Sequence, residues 1–153
     1  MASYLSFLLA FVGLSVSGVE LEGAGIQLFT PDRQKTLLVQ GKSGRWGWTK
    51  GHREPFDTNW LETAIREVRE ESGFDLGNEY WICSSTPQQW GKRLYWQGIT
   101  KYDMPEPRHN IYEHLAIAWF PLDNLSNLPL GKDVLEWKRS SNTIHCDFDM
   151  NPL

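Results

Sequence analysis

The alternation of apolar and polar positions predicts a β-hairpin near the start of the chain. Residues 25–29 alternate and then meet the turn sequence Thr-Pro-Asp, and residues 36–40 follow as a second apolar run. Residues 41–51 instead contain four glycines and three basic residues, a composition typical of a loop. We therefore expect two paired strands followed by a glycine-rich loop.

A helix is predicted over residues 60–71, because the stretch lacks glycine and proline and its apolar residues recur on one face. Asn59 with Glu62 suits a capping box, and Ser72 followed by Gly73 is a typical stop. Runs of aromatic and branched residues predict further strands, and a late segment predicts a second helix. The strands span residues 80–84, 93–101 and 114–120, and the helix spans residues 134–139.

About five strands of mixed spacing with two helices predict one layered domain of the α/β or α+β class. The length of 153 residues suits a single domain. The net charge of -4 lacks the basic excess of general nucleic-acid binders, so no general binding of nucleic acid is expected. A polyanionic ligand would therefore need local positive charge or a metal ion.

Residues 1–18 carry no charged side chain and are mostly apolar, which predicts a secretory signal peptide. The run is short for a membrane span, so we expect no stable span after cleavage and a domain over residues 19–139. A buried amino-terminal element and a retained signal anchor are alternatives. The protein is expected in the secretory pathway or outside the cell, with the cytoplasm as the alternative, and as a monomer.

The carboxyl-terminal residues 140–153 show no helical periodicity and predict an irregular tail. Export would permit a disulfide between Cys83 and Cys146, the two cysteines of the chain. Their spacing does not resemble a zinc site, and the sequence leaves open whether they are bonded or are independent thiols.

Three glutamates, Glu67, Glu70 and Glu71, stand at i, i+3 and i+4 beside the apolar face of the predicted helix. Like charges at this spacing destabilise a helix, and a divalent cation would remove the repulsion. Mg²⁺ favours oxygen ligands and commonly bridges to substrate phosphates. The alternative is a solvated acidic face with Arg66 and Arg69 as partners.

Gly51, followed by Arg-Glu-Val-Arg-Glu-Glu-Ser-Gly-Phe at residues 66–74, resembles the signature of the Nudix family. The resemblance implies an α/β/α sandwich with a mixed central sheet. It also implies that Mg²⁺ or Mn²⁺ is bound by four positions, with a metal-activated water attacking phosphorus in a nucleoside diphosphate linked to another group. These positions are Gly51, Glu67, Glu70 and Glu71. Arg66 would orient the glutamates.

The sequence departs from the family pattern between the glycine and the arginine. The family places a glutamate six residues after the glycine and eight before the arginine, and here the interval is one residue longer. Asp57 keeps the spacing from Gly51, whereas Thr58 keeps the spacing to Arg66. Reduced activity is therefore one expectation.

A narrower likeness points to the asymmetric diadenosine tetraphosphate hydrolase branch. Residues 46–55, Trp-Gly-Trp-Thr-Lys-Gly-His-Arg-Glu-Pro, and residues 61–67, Leu-Glu-Thr-Ala-Ile-Arg-Glu, are similar to its motifs, with Thr49 in place of a proline and Phe56 in place of a glycine. Glu113, in a Glu-His pair before a tryptophan-containing strand, is by this likeness a second carboxylate or a general base in a loop beside the metals, with an ordinary loop acid as the alternative. Glu70, Glu113 and Arg66 are thus the expected catalytic residues.

The expected substrate is a small nucleotide, a dinucleoside tetraphosphate cut to nucleoside tri- and monophosphate. Expected phosphate contacts are Lys50, Lys92 and Arg93, and expected stacking residues are Tyr95 and Trp48. Alternative substrates are diphosphoinositol polyphosphates, capped RNA and nucleotide sugars. A binding module that has lost its activity is the alternative of another class.

Overall fold

The computed structural model describes residues 20–108, 110, 112–140 and 143–147. This part of the chain forms an eight-stranded sheet. The strands are β1 (Gly23–Phe29), β2 (Lys35–Gln40), β3 (Trp46–Gly47), β4 (Thr49–His52), β5 (Tyr80–Ile82), β6 (Gln88–Trp90), β7 (Arg93–Thr100) and β8 (Ala116–Pro121). The helices are α1 (Trp60–Ser72), a 3-10 helix (Leu122–Asn127) and α2 (Lys132–Ser140).

The sheet is mixed, as the resemblance implies. Strand β1 runs parallel to β7, with Gly23 opposite Arg93 and Phe29 opposite Ile99. It runs antiparallel to β2 and β4. Strand β8 pairs antiparallel with β2, and β5 and β6 pair antiparallel with β7. Every residue of β1 is buried, because helices cover both faces of the central strand.

Helix α1 begins and ends where local signals predict. The Asn59 side chain accepts a hydrogen bond from the Glu62 amide, and Gly73 ends the helix with a φ of 81°. Ala64 and Val68 are fully buried and pack on one face of the sheet together with residues of β1 and β7. Because this packing sets the rotation of the helix, the neighbouring acidic face turns toward β4.

The second helical layer covers the opposite face. Trp137 of α2 lies in a core with Trp48 and Tyr95, so the architecture is the expected α/β/α sandwich. Cys83 and Cys146 form a disulfide, with their Cα atoms 4.6 Å apart. It attaches residues 143–147, which contain no helix or strand, to this second core.

Some boundaries differ from the sequence predictions. Residues 41–51 were expected as loop, but they contain β3 and β4, because each can pair with a longer strand despite its glycines. Strand β6 was not predicted. The predicted signal peptide, residues 1–18, lies outside the described residues. Among the residues that are described, no helix is long and apolar enough to cross a membrane.

Candidate active site

The candidate site is built around the contact between α1 and β4. The Lys50 amide donates a hydrogen bond of 2.7 Å to Glu71 Oε1. Glu67 packs directly on Gly51: a Cβ atom at Gly51 would lie 2.1 Å from Glu67 Cδ. No other residue fits at this position without displacing Glu67. The predicted glycine and two of the predicted glutamates are therefore brought together by tertiary contacts.

Arg66 organises the acidic face of α1. Its Nη1 lies 3.1 Å from a Glu67 oxygen and 3.0 Å from a Glu70 oxygen. Its Nε and Nη2 donate to the two oxygens of Asp57 at 3.1 and 2.9 Å. Nη2 also donates to the His52 carbonyl. The side chain is only 14% exposed, so these bonds hold it in one orientation.

Asp57 supplies the carboxylate at the point where the sequence departs from the family pattern. It is buried, and it accepts hydrogen bonds from the Glu54 amide and the Thr63 hydroxyl as well as from Arg66. The bonds from Arg66 hold the pKa of Asp57 down at about 2. The longer interval before Arg66 is therefore accommodated by a loop in which Asp57 positions the arginine.

Burial disfavours the ionised forms of Glu67 and Glu71 more than the neighbouring cations favour them. Burial raises the pKa of Glu67 to about 7, against the opposing charge of Arg66. Burial raises the pKa of Glu71 to about 8, against the opposing charge of Lys50. The charge of Glu113, which lines a cavity together with Glu71, raises both pKa values further.

A cavity of about 510 Å³ opens beside these residues. It is lined by two of the predicted carboxylates, Glu71 and Glu113, and by all three predicted phosphate contacts. Those contacts are Lys50, Lys92 and Arg93. A second cavity of about 490 Å³ is lined by Glu70 and also by Glu113. Glu113 thus lies between the two cavities.

The aromatic residues expected to stack on a base are positioned differently. Trp48 is fully buried against Tyr95 and Trp137, with ring centroids 5.2 and 5.5 Å away, so it has no face open to a ligand. Tyr95 lines the cavity but is 1% exposed, and its hydroxyl bonds to Asp133. Both rings serve the core, which corrects the stacking role expected for them.

Several cavity residues were missed by the sequence analysis. They are Arg45, Trp46, Lys132 and Asp133. Arg45 and Trp46 stand in the glycine-rich segment, whose basic and aromatic composition is a signal for ligand contact. The α2 residues had no comparable signal. Their place in the cavity depends on the Trp46 carbonyl accepting a hydrogen bond from the Gly131 amide at 2.8 Å.

The donor chemistry of the site fits a hard divalent cation. Carboxylates on α1 and the Gly51 carbonyl are oxygen donors, and a cation beside Glu67 and Glu71 would favour the ionised forms that burial alone disfavours. Within the described residues, no group of three or more acidic, histidine or cysteine side chains is already gathered around one point. Arg66 instead pairs with Glu67 and Glu70.

The fold, with a carboxylate-bearing helix packed on a mixed sheet, is the one found in solved Nudix hydrolase structures. The structure is similar to that of a C. elegans Ap4A hydrolase in a binary complex, with a TM-score of 0.60 and 20% identity over 71% of this chain and 86% of that one. It is also similar to a Nudix hydrolase from M. smegmatis, with a TM-score of 0.61 and 18% identity over 78% and 83%.

The chain belongs to the Nudix family, since the NUDIX domain family model matches residues 21–139. Among its relatives is the asymmetrical bis(5'-nucleosyl)-tetraphosphatase of Sus scrofa, 37% identical over 108 residues, which are 64% of this chain and 71% of the relative. The Mus musculus enzyme of the same name is 34% identical over 107 residues, with the same coverage of each chain. The family resemblance seen in the sequence is confirmed.

Proposed function

We propose that this protein hydrolyses a phosphoanhydride bond of a nucleoside polyphosphate, with a dinucleoside tetraphosphate cut asymmetrically to nucleoside tri- and monophosphate. The observation that carries the proposal is one cavity lined by both Glu71 and Glu113 and by Lys50, Lys92 and Arg93. Such a lining pairs phosphate-binding cations with carboxylates suited to a metal and to proton transfer. The names of the relatives support the choice of substrate.

A divalent cation, Mg²⁺ or Mn²⁺, would be held by the Gly51 carbonyl, Glu67, Glu70 and Glu71. When bound, it supplies Lewis-acid polarisation of phosphate oxygens and lowers the pKa of water. Arg66, through bonds of 3.1 and 3.0 Å to Glu67 and Glu70, would hold these carboxylates in place for the cation.

Glu113 is the residue we assign to proton transfer. Glu113 is exposed and lines both cavities, so a carboxylate oxygen is available to accept the proton of the attacking water. Lys50, Lys92 and Arg93 hold the phosphate oxygens, and their positive charge offsets the charge that develops on the phosphoryl group.

The test is incubation of the purified protein with dinucleoside tetraphosphate and Mg²⁺, with products separated by anion exchange. We expect equal amounts of nucleoside tri- and monophosphate. Exchange of Glu71 or Glu113 for Gln should lower kcat at least 100-fold. Glu62→Gln is the matched control, since Glu62 lies on the same helix and its side chain accepts a hydrogen bond from the Thr58 amide at the helix start. Absence of products from a folded wild-type protein would refute the proposal.

A substrate panel separates this activity from the other Nudix chemistries. Diphosphoinositol polyphosphate, capped RNA and a nucleotide sugar are assayed beside the dinucleoside tetraphosphate. We expect the dinucleoside compound to show the highest kcat/KM. Tight nucleotide binding without turnover of any compound would instead identify a binding module.

We propose further that the protein acts in the secretory pathway or outside the cell, as a monomer. The Cys83–Cys146 disulfide supports this location, because disulfides persist in oxidising compartments. Sequencing the amino terminus of the protein made in its own cells would test removal of residues 1–18. Light scattering would test the oligomeric state, with a mass near 17.7 kDa expected for the uncleaved chain.

A further inference from the structure

Asp133 is a buried acid in the wall of a cavity that we assign to a polyanion. It stands in the first turn of α2, is 6% exposed, and lines the same cavity as Lys50 and Arg93. A carboxylate in this place repels phosphate unless its charge is taken up by other groups. Its contacts therefore decide whether it opposes or assists binding.

Two side chains contact Oδ2 of Asp133. The Tyr95 hydroxyl donates a hydrogen bond to Oδ2, and Arg93 Nη1 lies 3.3 Å from the same oxygen. Tyr95 is 1% exposed and rigid in the core, so its hydroxyl fixes the orientation of the carboxylate. The carboxylate in turn determines where the Arg93 guanidinium lies, and Arg93 keeps other N–H donors for a ligand.

The turn that precedes Arg93 packs against α2, the helix that contains Asp133. A Cβ atom at Gly91 would lie 2.4 Å from Asp133 Oδ1, so only glycine permits this close approach. The Gly91 amide donates to Glu136, one turn further along α2. Two acids of α2 thus hold the turn between β6 and β7, but only Asp133 contacts the Arg93 side chain.

We propose that Asp133 is a positioning residue that holds the Arg93 guanidinium in the cavity for a substrate phosphate. The inference rests on the proposed function in that the ligand is a nucleoside polyphosphate. A free arginine side chain loses much rotamer freedom when it binds phosphate, whereas one already held by Asp133 loses less.

Substitution of Asp133 by Asn separates this role from two others. The amide keeps the shape and can still accept from Tyr95, but it no longer attracts Arg93. If Asp133 positions Arg93, KM for dinucleoside tetraphosphate rises about tenfold while kcat changes less than twofold. If Asp133 acted only as a nearby negative charge, its removal would lower KM. If it only attached α2 to β7, the melting temperature would fall and KM would not change.

Two further variants make the experiment specific. Glu136→Gln is the matched control, because the new side chain keeps an acceptor for the Gly91 amide. Within the described structure, Glu136 makes no bond to Arg93 or Tyr95. The KM of this variant should equal that of wild type. In an Arg93→Met background, Asp133→Asn should produce no additional rise in KM. Additive effects in this double-mutant cycle would overturn the proposal, as would an unchanged or lower KM in the single variant.

Binding measurements keep this inference distinct from the proposed function. Calorimetry with ATP and Mg²⁺ measures nucleotide affinity, which depends on the same Arg93 contact but requires no turnover. We expect Asp133→Asn to weaken ATP binding about tenfold. If wild type binds ATP but cleaves no dinucleoside tetraphosphate, the proposed reaction is refuted. The positioning role is then decided by the ATP affinities of wild type and Asp133→Asn alone. If Asp133→Asn does not fold, Tyr95→Phe replaces it, with a smaller rise in KM in the same direction expected. An unchanged KM or ATP affinity in that variant overturns the proposal, as does a wild-type protein that binds no ATP.

Discussion

Replacement of Glu71 by Gln is expected to stabilise the metal-free protein while it abolishes hydrolysis. Glu71 is 9% exposed, and burial raises its pKa from an ordinary 4.5 to about 8. The side-chain amide introduced by Glu71→Gln would still accept the hydrogen bond from the Lys50 backbone, which spans 2.7 Å in wild type. The substitution therefore removes the charge and retains the contact.

The sign and size of the effect follow from the pKa. The folded protein binds the Glu71 proton more tightly than the unfolded chain, so wild-type stability falls as the pH rises from 4.5 through 8. At pH 7 the unfolded chain has ionised Glu71, whereas the folded protein keeps it mostly protonated, and this difference lowers wild-type stability by about 3 kcal/mol relative to a permanently neutral side chain. Below pH 4.5 the carboxyl is protonated in both states, and wild type and variant should be nearly equal in stability.

Urea unfolding without metal at pH 5, 6, 7 and 8 measures the difference, which should grow with pH. Mg²⁺ should stabilise wild type and have little effect on Glu71→Gln. Glu70→Gln is the control, because the Glu70 side chain is 42% exposed, and a change within about 1 kcal/mol is expected. The reasoning is refuted if Glu71→Gln is no more stable than wild type at pH 8.

Three further predictions concern other contacts. Reduction of the Cys83–Cys146 bond, or Cys146→Ser, should lower the free energy of unfolding by up to about 4 kcal/mol, because the bond joins residues 63 positions apart. Urea titration with and without reductant measures this loss, and kcat should change little. Gly51→Ala should displace Glu67 and weaken Mg²⁺ binding at least tenfold in a metal titration, because the new Cβ would lie 2.1 Å from Glu67 Cδ. Asp57→Asn should cost about 2 kcal/mol at pH 7, a difference that disappears as the pH falls through about 2, where wild-type Asp57 also becomes neutral; unchanged acid unfolding would contradict this.

Helix α1 was predictable because its signals are local. The Asn59 cap, the apolar stripe and the Gly73 stop act within a few residues, and the predicted and observed ends agree within one residue. Strands β3, β4 and β6 are two to four residues long, and each is stabilised by pairing with a longer strand. Hydrophobic periodicity carries little information over so few residues.

The stacking prediction failed for a related reason. An aromatic residue in a glycine-rich segment suits a ligand platform or a core equally well, and only the packing of the two layers decides between them. Trp48 lies against Trp137 of α2, which is 89 positions away in the printed sequence. Trp48, which lies between β3 and β4, points into the second core with Tyr95 and Trp137.

The sequence by itself determined the chemistry of the site, because the periodicity of a helix places Glu67, Glu70 and Glu71 together whatever surrounds them. Only the tertiary structure decided how that chemistry is arranged. Glu113 and Asp133 reach the site through contacts between elements far apart in the chain, and burial rather than residue type sets the charge of Glu71. Long-range packing and desolvation depend on the whole fold, so no local pattern encodes them.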